Sequence, residues 1–217
     1  MRKYRRANRF RRRRVIYRRN RFKRVRRARS RVWKTPTLYV KLTKTIVVTA
    51  SPLTDLNINL SVALNDFAEH INLGPNFERV KVYRQVVRVL PQQNVSNTST
   101  SRVANYALIP YHKPPPTSPV TFVNAISIDK AKIYRQTHVG RMSFVPAARV
   151  DADATGGNQT IRTDWRPEFE ISTTATLPNL YTGFVVFEAT GVATGSQSFF
   201  TIVQDLYVRY KNQRSFI

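Results

Sequence analysis

No cysteine occurs in this sequence, and that absence closes several routes at once. Disulfides, thiolate chemistry and cysteine-based metal sites are excluded. The compartment stays open, although the composition fits a protein that never relies on oxidation. Acidic residues are scarce, twelve against thirty-seven Lys and Arg. Histidine occurs three times, at His70, His112 and His138, too far apart for ligand-type spacing. No apolar run approaches the roughly 20 residues of a membrane-spanning helix, so membrane insertion is not expected. The first residues are basic but lack an apolar h-region, so a secretory signal is not expected either. The sequons at Asn59, Asn94, Asn97 and Asn158 then read as polar loop sequence rather than as glycosylation sites. Only seven glycines are present. They form no phosphate-binding loop, and Gly156-Gly157 reads as a turn. No G-x-S-x-G nucleophile motif occurs.

What remains is charge of one sign, unevenly placed. The formal net charge is +25 over 217 residues, with pI near 11.3. Residues 1–34 hold nineteen basic residues and no acidic one; residues 35–217 carry a formal +6. Charge this dense repels itself and cannot bury a core, so the first thirty-four residues are expected to form a disordered arm. Sixteen of the nineteen are arginine, whose planar fork pairs with phosphate through two hydrogen bonds where lysine offers a point charge. The candidate nucleic-acid contacts are Arg2, Lys3, Arg5, Arg6, Arg9, Arg11, Arg12, Arg13, Arg14, Arg18, Arg19, Arg21, Lys23, Arg24, Arg26, Arg27, Arg29 and Arg31. Tyr4, Phe10, Tyr17 and Phe22 are interleaved with them as candidate stacking residues. Aromatic rings and guanidinium planes both stack on unpaired bases, so the mixture suits single-stranded nucleic acid without sequence readout. Arg11–Arg14, and Lys23, Arg24, Arg26 and Arg27, also have the character of a nuclear localisation signal. The apolar residues of the arm make no sustained helical stripe, which disfavours a membrane-surface helix.

Residues 35–217 read as one all-β domain. Short β-branched and aromatic runs alternate with Pro, Gly, Asn and Ser clusters. Strands are expected at 43–50, 80–90, 105–109, 181–189 and 199–210, with one bent strand or two over 133–145. Within 80–90 the alternation changes parity near Val86-Val87, which predicts a bulge or burial on both faces. In the last strand Phe200, Ile202, Leu206, Val208 and Tyr210 share one face, and Thr201, Asp205 and Arg209 the other. Leu60, Leu64, Phe67 and Ile71 recur at helical spacing, with Ser61 as a cap, and predict a short helix between the first two of these strands. Loops are expected at 92–102, 110–119, 151–160 and 191–197; the second, PYHKPPPTSP, is proline-stiffened and belongs on the surface. Seven or eight strands with long loops indicate a sandwich or jelly roll.

The chain offers little to an enzyme. Asp151 and Asp153 read as a solvated turn rather than a cation site. Asp164, Glu168 and Glu170, around Trp165 and Arg166, fit an ion pair or subunit contact better than general acid–base work. No catalytic, metal or cofactor site is expected.

The arginine-rich start on a small cysteine-free all-β chain resembles the capsid proteins of circoviruses, especially their cyclovirus relatives. Asn65-Asp66-Phe67, Phe77-Glu78-Arg79-Val80-Lys81-Val82 and Leu90-Pro91 are similar to that family's second core strand and the turn before it. The tail FFTIVQDLYVRYKN resembles its last strand. The resemblance implies an eight-stranded viral jelly roll and a T=1 icosahedral shell. It also implies a circular single-stranded DNA genome, nuclear import through the arm, and exterior loops that meet host receptors. About sixty arms would carry roughly 1,100 positive charges, enough to balance much of a genome of roughly one to two kilobases.

Three functions compete at this level. A capsid protein would self-assemble into virions and package nucleic acid, and the resemblance places it in the virion and the host nucleus. A ribosomal- or chromatin-type binding module with a basic tail would usually carry basic patches on its folded body too, where this body has only +6. A nuclease would need clustered carboxylates or histidines.

Overall fold

In the computed structural model the described residues are 37–92, 104–114, 120–152, 160–171, 177–191 and 197–214. The arm, with its expected disorder, lies outside them, as do the central parts of all four expected loops.

The order of the strands shows how the chain is wound. A large sheet runs β1 (Thr37–Ala50), β12 (Ser198–Gln213), β3 (Phe77–Pro91), β6 (Gly140–Phe144), with the short β9 (Glu168–Glu170) also on β3. A second sheet runs β2 (Leu56–Asn59), β11 (Gly183–Phe187), β4 (Asn105–Pro110), β5 (Lys132–Arg135). Apart from the insertion between β6 and β11, the chain pairs its first strand with its last, its second with its second-last, and so inward, always antiparallel. That is one long hairpin, with its tip between β4 and β5, rolled into two sheets: the eight-stranded jelly roll. The insertion forms a small sheet of β10 (Leu180–Tyr181), β7 (Ala147–Ala152) and β8 (Thr160–Trp165).

The two main sheets differ in length, and that shapes the core. At about 3.3 Å per residue, β12 spans roughly 50 Å and β11 only about 17 Å. Where the sheets overlap, Val48, Val87, Val89, Phe200 and Ile202 meet Tyr106, Leu108, Val185 and Phe187. Beyond that overlap the large sheet has no second sheet to pack on. Val62, Leu64, Phe67, Ile171, Leu177 and Leu180 cover it instead, over Leu42, Val80, Val82, Leu206, Val208 and Tyr210. On the other side of the second sheet, Phe122 and Ala125 of helix α2 (Phe122–Ile126) pack on Ala107, Ile109, Phe184 and Val186. β4 and β11 are thus buried on both faces, the reason their sequences are apolar without alternation.

Asp55 ties the far end of this layer together. Its two carboxylate oxygens accept from the backbone N–H of Phe122, at 2.7 Å, and of Ala189, at 2.8 Å. One side chain so holds the start of α2 against the end of β11. Gly183 is required where β11 begins, opposite Pro110 of β4: a Cβ there would collide with the Ile109 carbonyl oxygen.

Several expectations need correction. The 60–71 segment is not one helix. Leu60 donates to the Gly183 carbonyl at 3.0 Å, and Val62 and Leu180 exchange backbone bonds of 3.1 and 2.9 Å, so this stretch is extended. Only Leu64–Asp66, as a 3₁₀ turn, and α1 (Ala68–Leu73) are helical. Ser61 caps nothing, and Ile71 is exposed. The helical spacing arose because strand-like and helical pieces both send apolar side chains to one core. β2 precedes this segment, so Phe77–Pro91 is the third strand and not the second. Its parity does change at a bulge, as expected, but earlier than Val86-Val87: Arg84 opposes Tyr207 and Val82 opposes Val208, leaving Tyr83 as the extra residue, while Val86 and Val87 are both buried. Residues 133–145 form two strands, β5 and β6. Residues 181–189 contain one full strand, β11, beside the two-residue β10. The short elements β2, β7, β8, β9 and α2 had no clear periodic signal.

A buried histidine sits in this core. His70 lies beneath Tyr210, with Nδ1 2.7 Å from the tyrosine oxygen and the rings stacked at 5.9 Å. Burial holds its pKa below the ordinary histidine value. The unfolded chain therefore binds this proton more readily than the folded one. Stability should be full above the unfolded value of about 6.5 and fall as pH drops below it. Thermal melts from pH 7.5 to 5 should show that decline, and His70→Gln should flatten it.

Leu206 gives a sharper test of the core. It is fully buried among Leu42, Val80 and Val82 on the inner face of β12. Leu206→Asp would bury an unpaired charge at a cost of several kcal/mol, against a typical total stability of about 5–15 kcal/mol. Circular dichroism should find the variant unfolded or insoluble.

Candidate nucleic-acid interface

None of the arm residues singled out in the sequence, from Arg2 to Arg31, falls among the described residues. The folded domain adds something the sequence count concealed: its net charge is gathered on one surface. The face of the large sheet turned away from the core is built by alternation. Along β12, even-numbered residues go inward and odd-numbered ones outward, and the antiparallel register carries this across to β1 and β3. Residues directly opposite one another share a face. Outward rows therefore read Thr37–Lys211–Arg79, Tyr39–Arg209–Lys81, Lys41–Tyr207–Arg84, Thr43–Asp205–Val86 and Thr45–Val203–Arg88. Arg141 of β6 opposes Arg88, and Glu168 and Glu170 of β9 oppose Lys81 and Arg79. Eight cations thus face three carboxylates, most of the formal +6 of residues 35–217.

The three carboxylates do not erase this field. Asp205 is buried and engaged by Arg88 Nη2 at 3.0 Å, by the Thr43 hydroxyl at 3.0 Å and by Lys41 at 3.9 Å. Glu168 accepts from Lys211 Nζ at 2.6 and 2.7 Å, with Lys81 3.8 Å away. That hydrogen bond from Lys211 is the main reason its pKa lies below the usual carboxylate range. The ion pair expected around Glu168 is thus present, but with partners on β12 and β3 that the local sequence did not suggest.

The same face changes character along its length. Near Thr37, where the chain passes from the arm into β1, it is cationic and tyrosine-rich. Toward the other end it becomes Val47, Thr49, Phe199 and Thr201, with Val47 69% and Phe199 45% exposed. This polarity was legible in principle: the odd-numbered residues of the tail strand are charged or tyrosine from Asp205 to Lys211, and uncharged Phe199, Thr201 and Val203 at the other end. It needed the register of β1 and β3 to become a surface.

The remaining candidates are dispersed. His70 is in the core. His112 rests edge-on against Trp165, with ring centroids 4.4 Å apart and its Nε2 3.1 Å from the Val145 carbonyl oxygen. Burial lowers its pKa. His138 is exposed in the turn between β5 and β6. Asp151 lies at the end of β7 and Asp153 outside the described residues. Among the described residues no cluster of His, Asp and Glu is arranged to hold a metal ion.

Solved structures share this architecture, and all of the following are coats of viruses. The BFDV capsid protein matches in its 60-mer crystal form with a TM-score of 0.65 at 13% identity, covering 84% of this chain and 97% of that one. Its decameric form matches at 0.57 and 14%, covering 81% and 100%. The tobacco necrosis virus subunit matches at 0.51 and 12%, covering 83% and 98%. At such identities the likeness establishes the fold, a viral coat-type jelly roll. The sequence carries the identification further. The circovirus capsid protein family matches residues 2–214. The capsid protein of Human associated cyclovirus 1 is 37% identical over 183 residues, covering 82% of this chain and 83% of that protein. The chain belongs to the circovirus capsid protein family.

Proposed function

We propose that this capsid protein self-assembles into a T=1 icosahedral shell and packages a circular single-stranded DNA genome through residues 1–34. In this reading residues 35–217 are the shell domain and residues 1–34 the nucleic-acid-binding arm. The observation that carries it is the placement of charge: nineteen of thirty-seven basic residues lie in an arm with no acidic residue, and most of the domain's surplus lies on one sheet face. A shell of many copies needs that charge on its inside, because it is useful only against an enclosed polyanion. A relative, the BFDV capsid protein, forms a 60-mer and also a decamer, which supports the shell stoichiometry. The choice of single-stranded DNA rests on the family. The same arm, through Arg11–Arg14 and Lys23–Arg27, would bind host import receptors and carry the protein to the nucleus. The loops at 92–102 and 110–119 would face outward and meet a host-cell receptor. A cellular binding module with a basic tail is the weaker reading, since the family is viral.

Deleting residues 1–34 should remove most binding to single-stranded DNA at matched salt. Binding by the intact chain should fall steeply as salt rises, because each phosphate contact releases counterions. Equal affinity of the two proteins in a filter-binding titration would refute the arm's role.

Residues 1–34 fused to a reporter too large to diffuse through nuclear pores should concentrate it in the nucleus. A cytoplasmic reporter under the microscope would remove the import role and leave packaging intact.

A further inference from the structure

The cationic end of the large sheet holds more than charge. We infer that Tyr39, Tyr83 and Tyr207, held by Arg84 and Arg209, form a base-stacking platform for single-stranded nucleic acid on the folded domain itself. The inference rests on the packaging reading above and adds a second contact of different chemistry from the arm's.

Four observations carry it. The bulge in β3 places two consecutive side chains, Tyr83 and Arg84, on the same face, which a regular strand cannot do. The Arg209 guanidinium carbon lies 5.8 Å from the Tyr39 ring centre and 5.6 Å from that of Tyr83. Its Nη1 also donates to the Tyr39 hydroxyl at 3.3 Å. Arg84 lies 4.2 Å over the Tyr207 ring. These contacts hold planar groups against one another on a rigid sheet, so little side-chain freedom remains to be lost on binding. Yet Tyr39 is 67% exposed. A large ring left open to water, beside Lys41 and Arg84 as phosphate partners, is complementary to an unpaired base on a charged backbone. Duplex nucleic acid, whose bases are already stacked, offers no ring to it.

The test uses the full-length chain, labelled oligothymidylate of about twenty nucleotides and a duplex of equal length, titrated across a range of salt. Tyr39→Ala should weaken oligothymidylate binding on the order of tenfold at every salt concentration. The salt slope should not change, because no phosphate contact is lost. Tyr39→Phe should bind as the parent does, and duplex affinity should not move. In a second measurement independent of any variant, oligonucleotide carrying 5-iodouracil, photocrosslinked to the parent chain, should mark peptides containing Tyr39 or Tyr207. Crosslinks confined to residues 1–34, or a Tyr39→Ala variant that binds like the parent, would overturn the platform and leave the arm's role standing. An equal loss for the duplex would overturn it as well, since the contact would then not be to bases. So would unchanged binding with failed particle assembly, which would assign this face to a second copy of the chain. A parent chain that bound no oligonucleotide would remove the packaging reading and the platform together.

Discussion

The domain depends on the pairing of β12 along both of its edges. Its sixteen residues are bonded to β1 on one side and β3 on the other over nearly their whole length. Phe200, Ile202, Leu206, Val208 and Tyr210 alternate with Thr201, Asp205, Tyr207, Arg209 and Lys211. A slip of one residue would therefore turn the whole apolar set to water and bury the cations. The core and the basic face are two sides of one register. The β3 bulge shifts this register between Tyr207 and Val208, within the cationic end.

Unequal strand lengths explain most of the remaining architecture. A long sheet over a short one leaves apolar surface uncovered, and the chain meets it with whatever passes nearby: the turn and helix at 64–73 and the segment leading into β10. These pieces carry the only buried histidine among the described residues, so the group whose pKa burial lowers lies in the part of the core not closed by sheet packing. The other end is closed by regular strands and by α2, with Asp55 satisfying two backbone donors at the junction.

Electrostatics follows a similar division of labour. Like charge gathered on one face costs folding free energy through self-repulsion. The structure offsets part of it by sinking Asp205 among Arg88, Thr43 and Lys41, and by clamping Glu168 between Lys211 and Lys81. Enough cation is left over that the face remains positive, and the tyrosines there have partners in arginine. A circovirus-family capsid subunit thus carries its positive charge in two forms: dense along an extended stretch of sequence, and spread over a rigid sheet.

Much of this was written in the sequence by itself. The uneven placement of charge was plain in the sequence, since residues 1–34 hold nineteen basic residues and no acidic one. Long strands with alternating side chains, such as Phe199–Tyr210, were legible because period two is a local property of the backbone. So was the apolar character of 181–189, though not its cause. Tertiary structure decided the rest. The helical spacing of Leu60, Leu64, Phe67 and Ile71 dissolved because Leu60 and Val62 found backbone partners in Gly183 and Leu180, more than a hundred residues away. The partners of Glu168 came from other strands for the same reason. The body's modest +6 became a basic, tyrosine-lined surface only when register brought Tyr39, Tyr83, Arg84 and Arg209 side by side. Residues distant along the chain become neighbours only through strand pairing, and no local pattern encodes which strand that will be.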